Sequence, residues 1–180
     1  IGSLFTRVHA YRRLGLAHLL HSAWRAAVEA LEGALALARQ HRTGLEAESE
    51  ILANLSRAYL GAEDVRRARA AAEQAIARAG VQGARYFECR GWLALAWALR
   101  AEQGASAGEE IERCLDRALE LVNETEARAV EPQIIEERAR LAQLRGDDAT
   151  AAAERQRAHA LYVAIGATGH AERLAKELGL

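Results

Sequence analysis

Small and apolar side chains recur along this chain at helical spacing, and the blocks they form repeat. Tyr11, Leu14 and Gly15 are followed by Ala27, Leu31 and Ala34. Leu52, Leu55, Ser56 and Tyr59 are followed by Ala68, Ala72 and Ala75, and Trp92, Leu95, Ala96 and Leu99 by Ile111, Leu115 and Ala118. A weaker fourth copy reads Ile135, Ala139 and Ala142, then Ala151, Arg155 and Ala158. Positions 14, 55 and 95 all carry leucine, in steps of 41 and 40 residues. A fixed period of this size predicts a helical-repeat solenoid, in which each helix pair buries its apolar face against its neighbours. Small residues stand where two backbones would cross, because axes about 8–10 Å apart leave room for little more than a methyl group.

The breaks between blocks divide residues 1–180 into one domain of four pairs and a cap. Gly2-Ser3 caps a first helix running to about Leu20, and His21-Ser22 separates it from a second that ends near His41. The next helices are expected over 45–60 and 65–79, with Asp64 as N-cap and Gly80 and Gly83 closing the pair. The third pair spans 84–102 and 108–123, and the fourth 131–145 and 148–165, with Pro132 in a first turn. The repeats thus cover about 3–42, 45–79, 84–123 and 131–165, and a capping helix covers 170–178.

Charge and composition narrow the function classes. Lys+Arg number 24 against 25 Asp+Glu, a net charge of −1, so the basic excess expected of a nucleic-acid binder is absent. Basic charge is almost wholly arginine, with Lys176 the lone lysine. One proline and no Ser/Gly tract argue against disordered linkers. No run of eighteen uncharged apolar residues and no leader pattern is present, which gives the expectation of a cytoplasmic protein without membrane contact. The chain contains no methionine, so it is expected to be a piece of something longer. Cys89 and Cys114 lie within helical patterns with no ligand spacing, and read as reduced packing thiols.

The motifs resemble the tetratricopeptide repeat (TPR), with Tyr11-x-x-Leu14-Gly15 and Leu52-x-x-Leu55-Ser56-x-x-Tyr59 on first helices and Ala27-x-x-x-Leu31-x-x-Ala34 on a second. That resemblance implies an all-α, right-handed superhelical solenoid that binds proteins or peptides. The third copy has a longer turn, and the fourth carries Arg138 where the others carry leucine. The period exceeds the standard 34 residues. The terminal run from Leu144 to Asp147 and from Ile165 to Leu174 is similar to the ends of arrays in large bacterial signalling proteins of the cyclase or ATPase/transcription-activator type. Any cyclase or ATPase activity would then lie outside these residues.

In such a solenoid the first helices line the concave face. Aligning the copies points His9, Arg12 and Arg13, then Glu50, Asn54 and Arg57, inward. From the later copies it adds Arg90, Trp97 and Arg100, then Gln133, Glu137 and Arg140. The candidate groove residues are Arg12, Asn54, Arg57, Arg90, Trp97, Arg100 and Arg140. Arginine offers a planar fork for a carboxylate and tryptophan an anchor, so an acidic or C-terminal carboxylate segment is the expected ligand. The competing reading pairs these arginines with nearby glutamates on a solvated face. Only Asn54 matches the Lys/Asn carboxylate clamp of chaperone-binding relatives.

Other chemistry is weak in the sequence. His18-x-x-His21 lacks a third ligand, so no metal is expected. Arg145-Gly146-Asp147 reads as a helix turn, and Gly166-x-x-Gly169 lacks the Lys-Ser/Thr of a phosphate loop. Glu109-Glu110 and Glu136-Glu137 diverge around their helices and form no catalytic couple. Trp24 and Trp92 read as core. No cofactor and no catalytic residue is expected. Besides a partner protein or own-chain domain, the alternatives are a small-molecule effector array and self-association through exposed solenoid ends.

Overall fold

The structure, a computed structural model, describes residues 3–179, which fold into nine α-helices and two short 3₁₀ turns with no strand. The helices are α1 (Leu4–Leu20), α2 (Trp24–His41), α3 (Glu48–Gly61), α4 (Val65–Gln82) and α5 (Arg85–Gln103). They continue as α6 (Gly108–Thr125), α7 (Glu131–Leu144), α8 (Asp148–Ala164) and α9 (Thr168–Leu178). Packing is local: α1 lies on α2, α3 on α4, α5 on α6 and α7 on α8. Each second helix also meets the next first helix, and α3 bridges α1 and α5. This is the all-α solenoid of stacked helix pairs that the periodicity predicts.

The local causes are visible at helix ends. Ser3 Oγ accepts the Thr6 amide at 3.2 Å, Asp64 Oδ1 the Arg67 amide at 3.0 Å, and Asp147 Oδ1 the Thr150 amide at 3.0 Å. Helix α4 runs through Gly80 and stops only at Gly83, whose φ of 65° ends the hydrogen-bond ladder. The terminal helix begins at Thr168, ahead of the expected cap. Asp147 caps α8 while Arg145 Nη2 reaches Glu112 at 3.0 Å, so the Arg-Gly-Asp tripeptide is a helix turn.

The caps give a pH dependence. Backbone amide donation from Arg67 and Thr150 holds the Asp64 and Asp147 carboxyls below their ordinary 3.8. A carboxyl lowered in the folded state stabilises fully above its unfolded value and loses that contribution as pH falls through the depressed one. Thermal melts from pH 6 to pH 2 should therefore show the Asp64→Ala/Asp147→Ala variant melting below the parent at neutral pH, with the gap closing in acid. A gap independent of pH would contradict this.

Gly15, Ser56, Ala96 and Ala139 are all buried, as are alanines 27, 34, 68, 75, 118 and 158 of the second helices. A methyl on Gly15 would stand 2.5 Å from Leu31 Cγ. Leu31, Leu55 and Leu95 fill the layers, as expected. Leu14 does not, being 46% exposed, because no described helix precedes α1 to cover it. Arg138 replaces the missing leucine of the fourth copy by laying its guanidinium on Asp116 of α6. Trp92 and Trp24 are both half-buried and packed against core clusters, as expected, and Trp24 also lies over Gly61, leaving no room there for a Cβ. Cys89 and Cys114 are buried; desolvation pushes their thiols up to about 12 and about 11. No helix among the described residues is long and apolar enough to cross a membrane.

Candidate functional site

Helices α3, α5 and α7 present one inner face, and an open groove of about 530 Å³ runs along it. Trp24 and Arg57 line it at one end, Trp97 and Arg100 in the middle, and Arg140, His170 and Arg173 at the other. A smaller, more enclosed cleft of about 120 Å³ opens beside it between α3, α5 and the α6–α7 turn. Arg57, Trp97 and Gln133 border both spaces.

Polar contacts join successive first helices at a nearly constant offset. Arg12 of α1 pairs with Glu50 of α3, 38 residues on. Arg90 Nη2 of α5 donates to Asn54 Oδ1 of α3 at 3.3 Å, an offset of 36. Arg100 of α5 pairs with Glu137 of α7, an offset of 37. Arg173 Nη2 of α9 donates to Glu136 Oε2 of α7 at 2.8 Å, again an offset of 37. These are rungs of a ladder between layers, and α9 takes the place of a fifth first helix in it.

Buried carboxylates follow a rule in this molecule. Four glutamates are nearly inaccessible: Glu48 at 3%, Glu88 at 7%, Glu136 at 6% and Glu137 at 0%. Each is held by two arginines, as a buried charge must be paired and hydrogen-bonded to be tolerated. Glu48 meets Arg39 at 2.7 Å and Arg78 at 2.6 Å, and Glu88 meets Arg85 at 2.9 Å and Arg117 at 3.5 Å. Glu137 takes Arg100 and Arg140, the latter at 3.1 Å. Glu136 takes Arg140, Arg173 and the Tyr162 hydroxyl at 3.1 Å. One guanidinium therefore spans Glu136 and Glu137, which the sequence alone had diverging.

The sequence-derived groove residues thus divide. Arg12, Arg100 and Arg140 are paired with glutamates. Arg57 and Arg90 are not: among the described residues neither contacts a carboxylate, although both line the enclosed cleft. Burial lowers the Arg57 pKa, and the like charge of Arg90 lowers it further. Asn54 is buried, and among the described residues neither its Nδ2 nor the indole N–H of half-buried Trp97 has a partner. Of the other residues aligned inward, His9 Nε2 lies 3.2 Å from Glu46 Oε1 and Arg13 is exposed.

Trp24, Glu136, Tyr162, His170 and Arg173 border the groove without having been expected there. The signal for Arg173 was present, since it lies one ladder step beyond Glu136; reading the last helix as a cap hid it. His170 stacks on Tyr162 with ring centroids 4.8 Å apart. Among the described residues no cluster of three His, Cys, Asp or Glu is placed to hold a metal ion.

No protein-family model and no curated protein matches the sequence. Solved structures do resemble it. The crystal structure of a kinesin light chain of Podosopora anserina with nearly identical TPR-like repeats has a TM-score of 0.66 at 17% identity, covering 99% of this chain and 95% of that one. A variant of the same protein with a single substitution gives 0.66 at 16% identity with the same coverage. At such low identity the likeness establishes architecture, and over essentially its whole length this chain has the fold of a TPR-like repeat array.

Proposed function

We propose that the chain is a non-catalytic protein-interaction module that docks an extended acidic segment of a partner protein, or of another domain of its own protein, along its inner face. In this reading it serves in the cytoplasm as a regulatory part of a larger bacterial signalling protein, the class that its terminal sequence resembles. The observation that carries the docking role is the groove itself: an open trough beside which, among the described residues, two arginines lack carboxylates and a half-buried tryptophan has an unpartnered N–H. Arginine forks and tryptophan are typical recognition anchors. Stacked helix pairs offer extended concave surfaces suited to a peptide chain.

The alternative, an effector-sensing array that binds a small molecule, has less support. Small-molecule sites enclose roughly 300–1,000 Å³. The enclosed cleft here holds about 120 Å³, and the larger spaces are open to solvent.

Selection of a randomised displayed-peptide library on the chain tests the docking role. Acidic sequences should be enriched, and Trp97→Phe, which keeps a ring against the core and removes the indole N–H, should weaken their binding while leaving the melting temperature within a few degrees. No enrichment, or binding indifferent to Trp97, would overturn it.

A further inference from the structure

The outer surface carries a recess of its own, on the side of the stack away from the inner groove. Between α2 and α4 a slot of about 350 Å³ opens to solvent, with α3 as its floor. Its two walls follow one pattern. Helix α2 contributes Glu32, Leu35, Ala36 and Arg39, spaced i, i+3, i+4 and i+7 on a single face. Helix α4 contributes Arg67, Ala70, Ala71 and Gln74 at the same spacing. Polar bridges close both ends: Arg67 Nη1 donates to Glu32 Oε1 at 3.2 Å, and Arg39 Nη2 to Gln74 Oε1 at 3.3 Å. Both bridges span 35 residues, so α2 and α4 run in the same direction and in register. Between them lie two turns of each helix, about 10 Å, and only apolar side chains. Leu35, Ala36, Ala70 and Ala71 form the walls there, over the buried Leu52 and Leu55 of α3.

We propose that this slot docks an amphipathic helix of a partner protein, which inserts two large apolar side chains, three or four residues apart, between the bridges. Such a pair has Cβ atoms about 5–6 Å apart and fits the 10 Å window. The rims favour a helix over other occupants. Ala36 and Ala70 are exposed on opposite sides, and residues this small let another backbone come close, as at the molecule's own crossings. The later layers lack this arrangement. Two residues past the buried pairs 68/75 and 111/118 the rims are Ala77 and Arg113, and past 118 and 151 they are Glu120 and Ala153. A charged side chain thus stands on one rim of each later layer, and on neither rim of the first. Flanking charge adds polarity to the seat. Glu29 on α2 and Arg66 on α4 are exposed, and among the described residues neither forms an ion pair. A helix with a base on its α2 side and an acid on its α4 side complements both. The open outer side also decides between occupants: a free small molecule would stay wet on one face, whereas a helix roofs the side chains it inserts. The site is independent of the inner-face docking role.

A displayed library of helical-bundle scaffolds, randomised along one outer helix face, tests this. It is selected on the chain and counter-selected on the Ala36→Gln/Ala70→Gln variant. Surviving clones should share two large apolar residues three or four apart, with a base on one flank and an acid on the other. In calorimetric titration Ala70→Gln should weaken them at least tenfold, and Ala70→Ser, which keeps the rim small, less than threefold. Glutamine is a good helix former, so both variants should melt within a few degrees of the parent. Trp97→Phe, on the inner face, should leave these affinities unchanged. No surviving clone, clones that tolerate alanine at both apolar positions, or affinities that fall with Trp97→Phe and not with Ala70→Gln would overturn the proposal. Saturable binding of free indole that Ala70→Gln removes, with no helical clone, would make the slot a small-molecule site and overturn it equally.

Discussion

Replacing Arg100 with leucine should destabilise the fold by about 3 kcal/mol, at the low end of what breaking a buried pair costs. Glu137 has no exposed surface and holds Arg100 on one oxygen and Arg140 on the other. Leucine removes the cross-layer partner and leaves a buried carboxylate with one guanidinium from its own helix. Arg140 is also shared with Glu136, so it has little capacity to compensate. For a chain of this size the loss corresponds to a fall in melting temperature of roughly 6–12 °C. Arg69→Leu provides the contrast. That arginine makes exposed bridges to Glu73 and Glu102, of a kind worth under about 1 kcal/mol. Equal melting shifts for the two variants would refute the ladder as a stabilising element.

The second large effect is expected at Gly15. Alanine there gains about 1 kcal/mol of helix propensity. The new methyl, however, meets Leu31 at the branching Cγ, 2.5 Å away, and Cδ2, 2.7 Å away. Leu31 is fully buried and cannot rotate the overlap into solvent, so α1 and α2 must separate or Leu31 must leave its layer. Overpacking of this kind costs about 3 kcal/mol, giving a net loss of about 2 kcal/mol, or roughly 4–8 °C. Gly80→Ala is the matched control, because nothing lies within 4 Å of a methyl at Gly80. It should stabilise α4 slightly. Calorimetric melts of the two variants decide the matter, and a stabilised Gly15→Ala would disprove the close crossing.

The architecture was legible because backbone crossings constrain side-chain volume more tightly than any other feature here. Gly15, Ser56 and Ala96 are all buried, at Gly15 not even a methyl fits, and a periodic restriction on size survives in a sequence even when the large residues drift, as at Arg138. The site was less legible for an electrostatic reason. Alignment of first helices put Arg12, Arg100 and Arg140 beside Arg57 and Arg90 as equals. It could not show that Glu50 and Glu137 neutralise Arg12 and Arg100, because those partners stand nearly a full repeat away, whereas Glu136 and Glu137 lie within four residues of Arg140 and were read as diverging around their helix. Trp24 escaped for a similar reason: its indole crosses to Gly61, and a glycine that accommodates a ring from another helix leaves no local pattern.

The ladder also constrains how this chain can change over evolutionary time. Repeat arrays are often imagined as interchangeable beads, free to gain or lose a unit. Here each layer carries half of a polar pair whose other half belongs to its neighbour, 36–38 residues along. Deleting or duplicating one unit would strand an arginine on one side and its acceptor on the other. Heredity can therefore edit this stack only by coordinated double substitutions, which ties the number of layers to the charges that join them.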